Sequence, residues 1–271
     1  MPEKFFGRRK GKKLRAGRLA LLENLLPFIQ IPVPKDARDE SEIKEVLPCI
    51  KEGTLFPFKP EEIWLEVGFG GGEHLAQLAL KYPKVGFIGA EVFVNGVASL
   101  LAHLNTSSVK ENEQEKSGLD GAPLQTESKD RTAQNQTIEN LLAPERADNV
   151  RIFYEDIRLL FPYLPDGMFS KIFVLYPDPW PKTRHEKRRF IGSGNLPTLA
   201  RLLKENGQLI IATDVDIYAD WTLQEVAKFP VFKEVESNHL LAPEDWVTTR
   251  YEQKALAAGR IPRYFVFEKR S

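Results

Sequence analysis

Residues 62–73 read Glu62-Ile63-Trp64-Leu65-Glu66-Val67-Gly68-Phe69-Gly70-Gly71-Gly72-Glu73. The apolar run Ile63–Val67 ends in glycines and leads into His74–Tyr82, where apolar residues recur at helical spacing and stop before Pro83. Strand, glycine turn and helix together open an α/β protein, whose ligand belongs at the carboxyl ends of the strands. Glycines at such a turn allow close approach of the backbone to that ligand. The spacing then discriminates between ligands. A dinucleotide fingerprint counted from Gly68 needs Gly or Ala at position 73, where Glu73 stands. A carboxylate at the helix N-terminus repels a pyrophosphate, so the loop argues against a nicotinamide or flavin dinucleotide.

Working outward, strand-like and helix-like segments alternate. Val85–Glu91 reads as a second strand, Val94–Leu104 as a helix, Val150–Tyr154 as a third strand and Lys171–Tyr176 as a fourth, apolar on both faces as a central parallel strand should be. Leu196–Glu205 is expected to form a helix ending at Gly207, Gln208–Thr213 a fifth strand and Tyr218–Phe229 a helix; Val231–Glu236 and Arg263–Glu268 read as a late strand pair. The fold class is therefore α/β: a mostly parallel twisted sheet with helices on both faces and a late antiparallel strand.

The chain has 271 residues, 42% apolar and 28% charged, close to the soluble globular average. Its 38 Lys+Arg balance 38 Asp+Glu, which excludes a uniformly basic nucleic-acid binder but not a local basic patch. One cysteine, Cys49, excludes a disulfide framework, and four scattered histidines suggest no metal site. No apolar run is long enough for a membrane span, and Glu23 and Asn24 interrupt the only N-terminal apolar stretch, so a cytoplasmic protein is expected. Residues 1–18 carry eight Lys/Arg and one acid; residues 1–25 read as a flexible basic arm, able to meet polyanions. A short helix is suggested near Glu40–Leu47. Residues 105–149 contain no aromatic residue, and nine acids against five bases give a net charge of −4. Such a segment cannot bury enough apolar surface to offset its ordering entropy and reads as a disordered insertion, with one helical turn at Ile138–Leu142. Residues 26–271 then form a single domain carrying that insertion.

The pattern the glycine loop does fit is E-x-G-x-G-x-G, as in S-adenosylmethionine-dependent methyltransferases. That methyl donor carries an amino group and a sulfonium and no phosphate, so the carboxylate of Glu66 suits it. Gly68, Gly70 and Gly72 would cradle it. Glu91, ending the second strand, suits two ribose hydroxyls, because a carboxylate accepts two parallel O–H bonds. Asp156, after the third strand, suits the adenine amino group.

The fourth strand runs into Tyr176-Pro177-Asp178-Pro179-Trp180-Pro181-Lys182-Thr183-Arg184-His185-Glu186-Lys187-Arg188-Arg189. Three prolines in five residues stiffen the backbone where a reacting group must be held. A polar residue, proline and an aromatic in this order suit a methyltransferase acting on a nucleobase nitrogen, with the aromatic stacking on the base. The cations that follow read as a phosphate-binding rim, with Arg184, Arg188 and Arg189 as backbone contacts.

PDPWPKTRHEKRR, LEVGFGGG, GAEVF, IATD and TRYEQKALAAG together resemble the bacterial tRNA (guanine-N7-)-methyltransferase family over most of residues 60–271 outside the insertion. The resemblance implies a Rossmann-like class I methyltransferase that uses S-adenosylmethionine and no metal to methylate guanosine at position 46 of the tRNA variable loop. It implies cofactor contacts at Glu66, Glu91 and Asp156, an active-site role for Asp178, and tRNA contacts at Lys182, Asp214, Thr249, Arg250, Tyr251 and Glu252. The insertion departs from the family's short connection and leaves open whether the enzyme is a monomer or a homodimer. Guanine N7 bears a lone pair and no proton, so transfer needs no general base; Asp178 would favour the positive charge developing on the ring. Asp214 and Glu252 are the two candidates for reading the N1–H and N2 amino donors of guanine. Two other readings share the fold: a methyltransferase for a small-molecule amine, and an RNA-binding module without catalysis.

Overall fold

The computed structural model describes residues 7–32, 48–50, 54–114, 147–244 and 246–270. The short helix expected near Glu40–Leu47 and the helical turn expected at Ile138–Leu142 lie outside them. The described strands are β1 (Glu62–Val67), β2 (Val85–Ala90), β3 (Val150–Phe153), β4 (Phe169–Leu175), β5 (Leu203–Thr213), β6 (Phe232–Glu234) and β7 (Arg263–Lys269). They form one seven-stranded sheet in the order β3-β2-β1-β4-β5-β7-β6. β1 to β5 run parallel; β7 lies antiparallel to both β5 and β6. The sequence order reverses between β1 and β4, so their carboxyl ends diverge there and leave a crevice.

The helices are α1 (Ala16–Asn24), α2 (Leu26–Ile29), α3 (Glu73–Lys81), α4 (Val94–Gln114), α5 (Leu196–Leu202), α6 (Asp216–Val226) and α7 (Arg250–Ala257). Alternation along the strands divides the core between two faces. Leu65, Ile172, Leu209 and Phe265 pack with α5 and α6 on one face; Trp64, Phe87, Phe173 and Ile210 pack with α3 and α4 on the other. α3 fits closely because Leu75, fully buried, lies over Gly89 of β2, where a Cβ would stand 2.6 Å from Leu75 Cδ1. Truncating that leucine removes core contacts worth about 2–5 kcal/mol.

Two expected bounds are corrected. α5 stops at Leu202, and Leu203 already pairs with Phe169. Residues 204–207 bulge from β5, with Asn206 at φ 61°, because the register jumps from Phe169↔Leu203 to Lys171↔Gln208. The insertion is also bounded differently. α4 continues to Gln114, and Ala147 and Asn149 are buried; Asn149 Nδ2 donates to Ala79 O (2.9 Å) and Tyr82 O (3.3 Å), satisfying carbonyls at the end of α3. Of the basic arm expected over residues 1–25, residues 9–18 make contact with α4. Arg9 O accepts from Val94 N, Gly11 N donates to Asn95 Oδ1, Asn95 Nδ2 donates to Lys12 O and Arg18 Nη1 donates to Ala98 O. The charge run is visible in sequence; the carbonyls and amides that hold it are not.

Candidate active site

A cavity of about 760 Å³ opens at the carboxyl edge of the sheet, across the β1–β4 junction. One end is formed by the glycine loop and the tip of β2. Gly68 (φ 67°) and Gly70 (φ 56°) adopt left-handed backbone that side chains disfavour, and both line the cavity. Glu91 ties the loop down: Oε2 accepts from Gly70 N (2.8 Å), and Oε1 accepts from Val92 N (2.8 Å) and Phe93 N (2.9 Å). Burial pushes this carboxyl above the ordinary glutamate value, opposed by the three N–H groups, and the Asp178 charge adds to the rise. Gly96, unremarked in the sequence, is required as well, since a Cβ there would stand 2.2 Å from Gly70 O.

The structure separates the other expected donor contacts. Gly72 caps α3 at φ 77°, where a Cβ would lie 2.6 Å from Leu100 Cβ; its role is packing, outside the cavity lining. Glu66 is 5% exposed and does not line the cavity either; its Oε2 lies 2.9 Å from His74 Nδ1. β1 alternation turns that carboxylate toward the α3 face. Asp156 does line the cavity, but it caps a 3₁₀ turn and is bound by Arg158, whose Nη2 lies 2.6 Å from Oδ2. Gly7 and Arg8 of the arm also line this cavity, and Arg9 pairs with Glu155 through both carboxylate oxygens (2.8 and 2.6 Å).

The loop after β4 forms the other end. Tyr176 (φ 50°) and Trp180 (φ 39°) hold left-handed backbone without being glycine, strain that persists only where surroundings impose it. Arg189 is part of that imposition. It is 5% exposed, donates from Nε to Pro179 O (3.0 Å) and from Nη2 to Trp180 O (3.2 Å), and lies 4.5 Å over the Trp221 ring. Arg189, expected among the phosphate contacts, is placed by the structure inside the loop, which it braces. Asp178 is exposed and lines the cavity. Arg184, Lys187 and Arg188 line it too; Arg188 lies 4.9 Å over the Trp180 ring and His185 meets that ring edge-on at 5.7 Å.

Of Lys182, Asp214, Thr249, Arg250, Tyr251 and Glu252, only Tyr251 lines the cavity, its ring against Gly70. Burial and the charges of Glu91, Asp178 and Glu73 push its hydroxyl up. Thr249 is buried and caps α7, its Oγ1 accepting from Glu252 N at 3.1 Å. Glu252 is 4% exposed and accepts from Trp246 Nε1 (2.7 Å) and Tyr264 OH (2.6 Å), so neither oxygen faces the cavity. Asp214 accepts from Arg260 Nε at 2.6 Å, outside the lining; Lys182 and Arg250 are exposed, also outside it. Among the described residues no His, Cys, Asp and Glu cluster could hold a metal ion, and no helix is long and apolar enough to cross a membrane.

This sheet order, with a glycine loop after β1 and an acid at the tip of β2, defines a class I methyltransferase. The model of the methyltransferase family Methyltransf_4 matches residues 60–262. The chain is 41% identical to the tRNA (guanine-N(7)-)-methyltransferase of Paramagnetospirillum magneticum, over 99% of this chain and 93% of that one. It is 38% identical to the enzyme of the same name from Rhodospirillum rubrum, over 100% of this chain and 91% of that one. The chain belongs to the tRNA (guanine-N7-)-methyltransferase family. S-adenosylmethionine is accordingly its methyl donor. The residues suit it: the cavity offers left-handed glycines for close approach of the backbone, with the carboxylate of Glu91 fixed beside them at the tip of β2.

Proposed function

We propose that this protein methylates N7 of a guanosine in tRNA, at position 46 of the variable loop, and acts in the cytoplasm. The observation that carries this reading is Asp178: an exposed carboxylate on a strained, proline-stiffened loop, facing the same cavity as Gly68, Gly70 and Glu91. Bound S-adenosylmethionine supplies a methyl group on a cationic sulfur. Guanine N7 presents a lone pair and no proton, so the site needs no general base. Asp178 stabilises the positive charge that grows on the purine ring, and the rigid loop holds it ready without reorganisation. Trp180, with Arg188 over its ring, supports the base; stacking of this kind is worth about 1–3 kcal/mol. Arg184, Lys187 and Arg188 border the cavity as a cationic rim for the flanking phosphates, and the exposed Lys182 and Arg250 extend that rim outward.

The test is incubation of unmodified tRNA with the protein and methyl-labelled S-adenosylmethionine, followed by mapping of the modified nucleotide. Label at N7 of guanosine 46 is expected. Label at another atom or on small amines only, or binding of tRNA with no transfer, would replace this reading with one of its competitors.

A further inference from the structure

The segment between β6 and α7 contains Trp246, which sits behind the donor cavity and outside its lining. Its indole lies 5.3 Å from the His74 ring and 4.9 Å from the Tyr264 ring, edge-on to the latter. Its Nε1–H donates to Glu252 Oε2 at 2.7 Å, while the Tyr264 hydroxyl donates to Oε1 at 2.6 Å. Glu252 is further tied through its backbone N–H, which donates to Thr249 Oγ1 in the cap of α7. The preceding residue, Tyr251, takes the opposite direction. Its ring lies so close to the donor loop that a Cβ on Gly70 would stand 2.8 Å from Cε2. On the other side, His74 lies in the first turn of α3, just after the glycine loop, and is held to Glu66 near the tip of β1. The glycine loop is therefore gripped twice: from behind through Glu66, His74 and Trp246, and from the cavity side by Tyr251.

We propose that Trp246 is a positioning residue for the methyl-donor site: through Glu252 and His74 it sets α7 against α3 and so places the Tyr251 ring over Gly70 as a wall of the cavity. The inference rests on the donor-cavity reading above. The physical reason is the cost of a buried carboxylate with an unfilled acceptor. Without the indole N–H, Glu252 relaxes toward water and carries the first turn of α7, with Tyr251, away from the loop.

Trp246→Phe keeps the apolar ring and removes only that donor. Calorimetric titration of the full chain with S-adenosylmethionine is expected to show binding weakened roughly tenfold, the scale of one hydrogen bond to a buried charge. KM for tRNA should change less than donor affinity, because Arg184, Lys187 and Arg188 stay in place. The decisive readout is the double-mutant cycle with Tyr251→Ala. Once the ring is gone, Trp246→Phe should change donor affinity no further, whereas two independent defects add. Tyr264→Phe, which removes the other donor to Glu252, should show the same coupling and gives a second route to it. Additive effects, or a lowered Tm with unchanged donor affinity, would overturn the proposal. So would a Glu252→Gln variant that binds S-adenosylmethionine normally but no longer prefers guanosine over inosine, which lacks the N2 amino group, at the target position. Wild-type protein that binds the donor yet never methylates tRNA refutes the proposed substrate alone; the cycle on donor affinity still decides the role of Trp246.

Discussion

At one end of the cavity Glu91 is 9% exposed and accepts three backbone N–H bonds; at the other, Asp178 is exposed at the tip of a loop whose backbone is left-handed at Tyr176 and Trp180. The donor end is built from local strand tips and is satisfied before any ligand arrives. The acceptor end is held by force from outside it: Arg189 reaches from the basic run to the carbonyls of Pro179 and Trp180 and is itself pressed on Trp221. The contrast suits the two reactants. A small donor needs a pre-formed cradle, while a nucleobase delivered by a large polyanion needs one fixed charge and an open, cationic approach.

The comparison breaks most sharply at Asp178. Asp178→Ala should lower turnover roughly 10²–10³-fold, the scale of one electrostatic contact made in the transition state, while tRNA affinity stays within about twofold. Single-turnover kinetics beside filter binding would show it, and equal loss of both would move Asp178 from chemistry to binding. Next in size is Glu91→Ala, which frees the Gly70, Val92 and Phe93 amides together. Donor affinity should drop at least tenfold, with tRNA affinity retained, since unmet buried donors cost about 1–3 kcal/mol each. Arg189 and Arg188 then separate the structural cation from the binding one. Arg189→Ala should lower Tm by several degrees, for a loss of about 1–3 kcal/mol. Arg188→Ala should leave Tm in place and reduce the salt slope of tRNA binding by about one phosphate contact. If both variants merely flatten the salt slope, the buried position of Arg189 is wrong.

The smallest effect is in pH. Burial holds the Glu91 carboxyl above 4.5 in the folded protein, so the fold keeps this proton further up the scale than the unfolded chain does. Ionising it therefore lowers stability as pH rises through the window just above 4.5. If the ionised form is the one that holds the donor, as proposed, its share shrinks on acidification, so donor affinity should weaken as pH falls through the window just above 4.5. Calorimetry at several pH values checks the direction; Glu91→Gln should remove the dependence.

Much of the donor end was legible in the sequence because its pieces are contiguous: an apolar strand, glycines, then an amphipathic helix, with Glu91 at the end of the next strand. The acceptor loop was legible for a similar reason, since three prolines around an aspartate and a tryptophan confine the chain whatever packs on it. What stayed hidden depended on partners far along the chain. Glu66 reads as a donor contact by motif, yet strand alternation turns it to His74. Arg189 reads like its neighbours in a run of cations, yet its burial depends on Trp221. Gly96 carries no motif, and only the approach of Gly70 O makes it obligatory.

The sequence by itself determined the α/β alternation, the glycine turn after the first strand and the proline-stiffened loop that carries Asp178, because periodicity, backbone restriction and charge are properties of neighbouring residues. Tertiary structure alone decided which acids face the cavity and which are satisfied inside, that Glu252 is bound by Trp246 and Tyr264, and that the basic arm lies along α4. Those outcomes follow from hydrogen-bond satisfaction in a packed interior, where a carboxylate or guanidinium goes to whichever distant group the fold brings within about 3 Å.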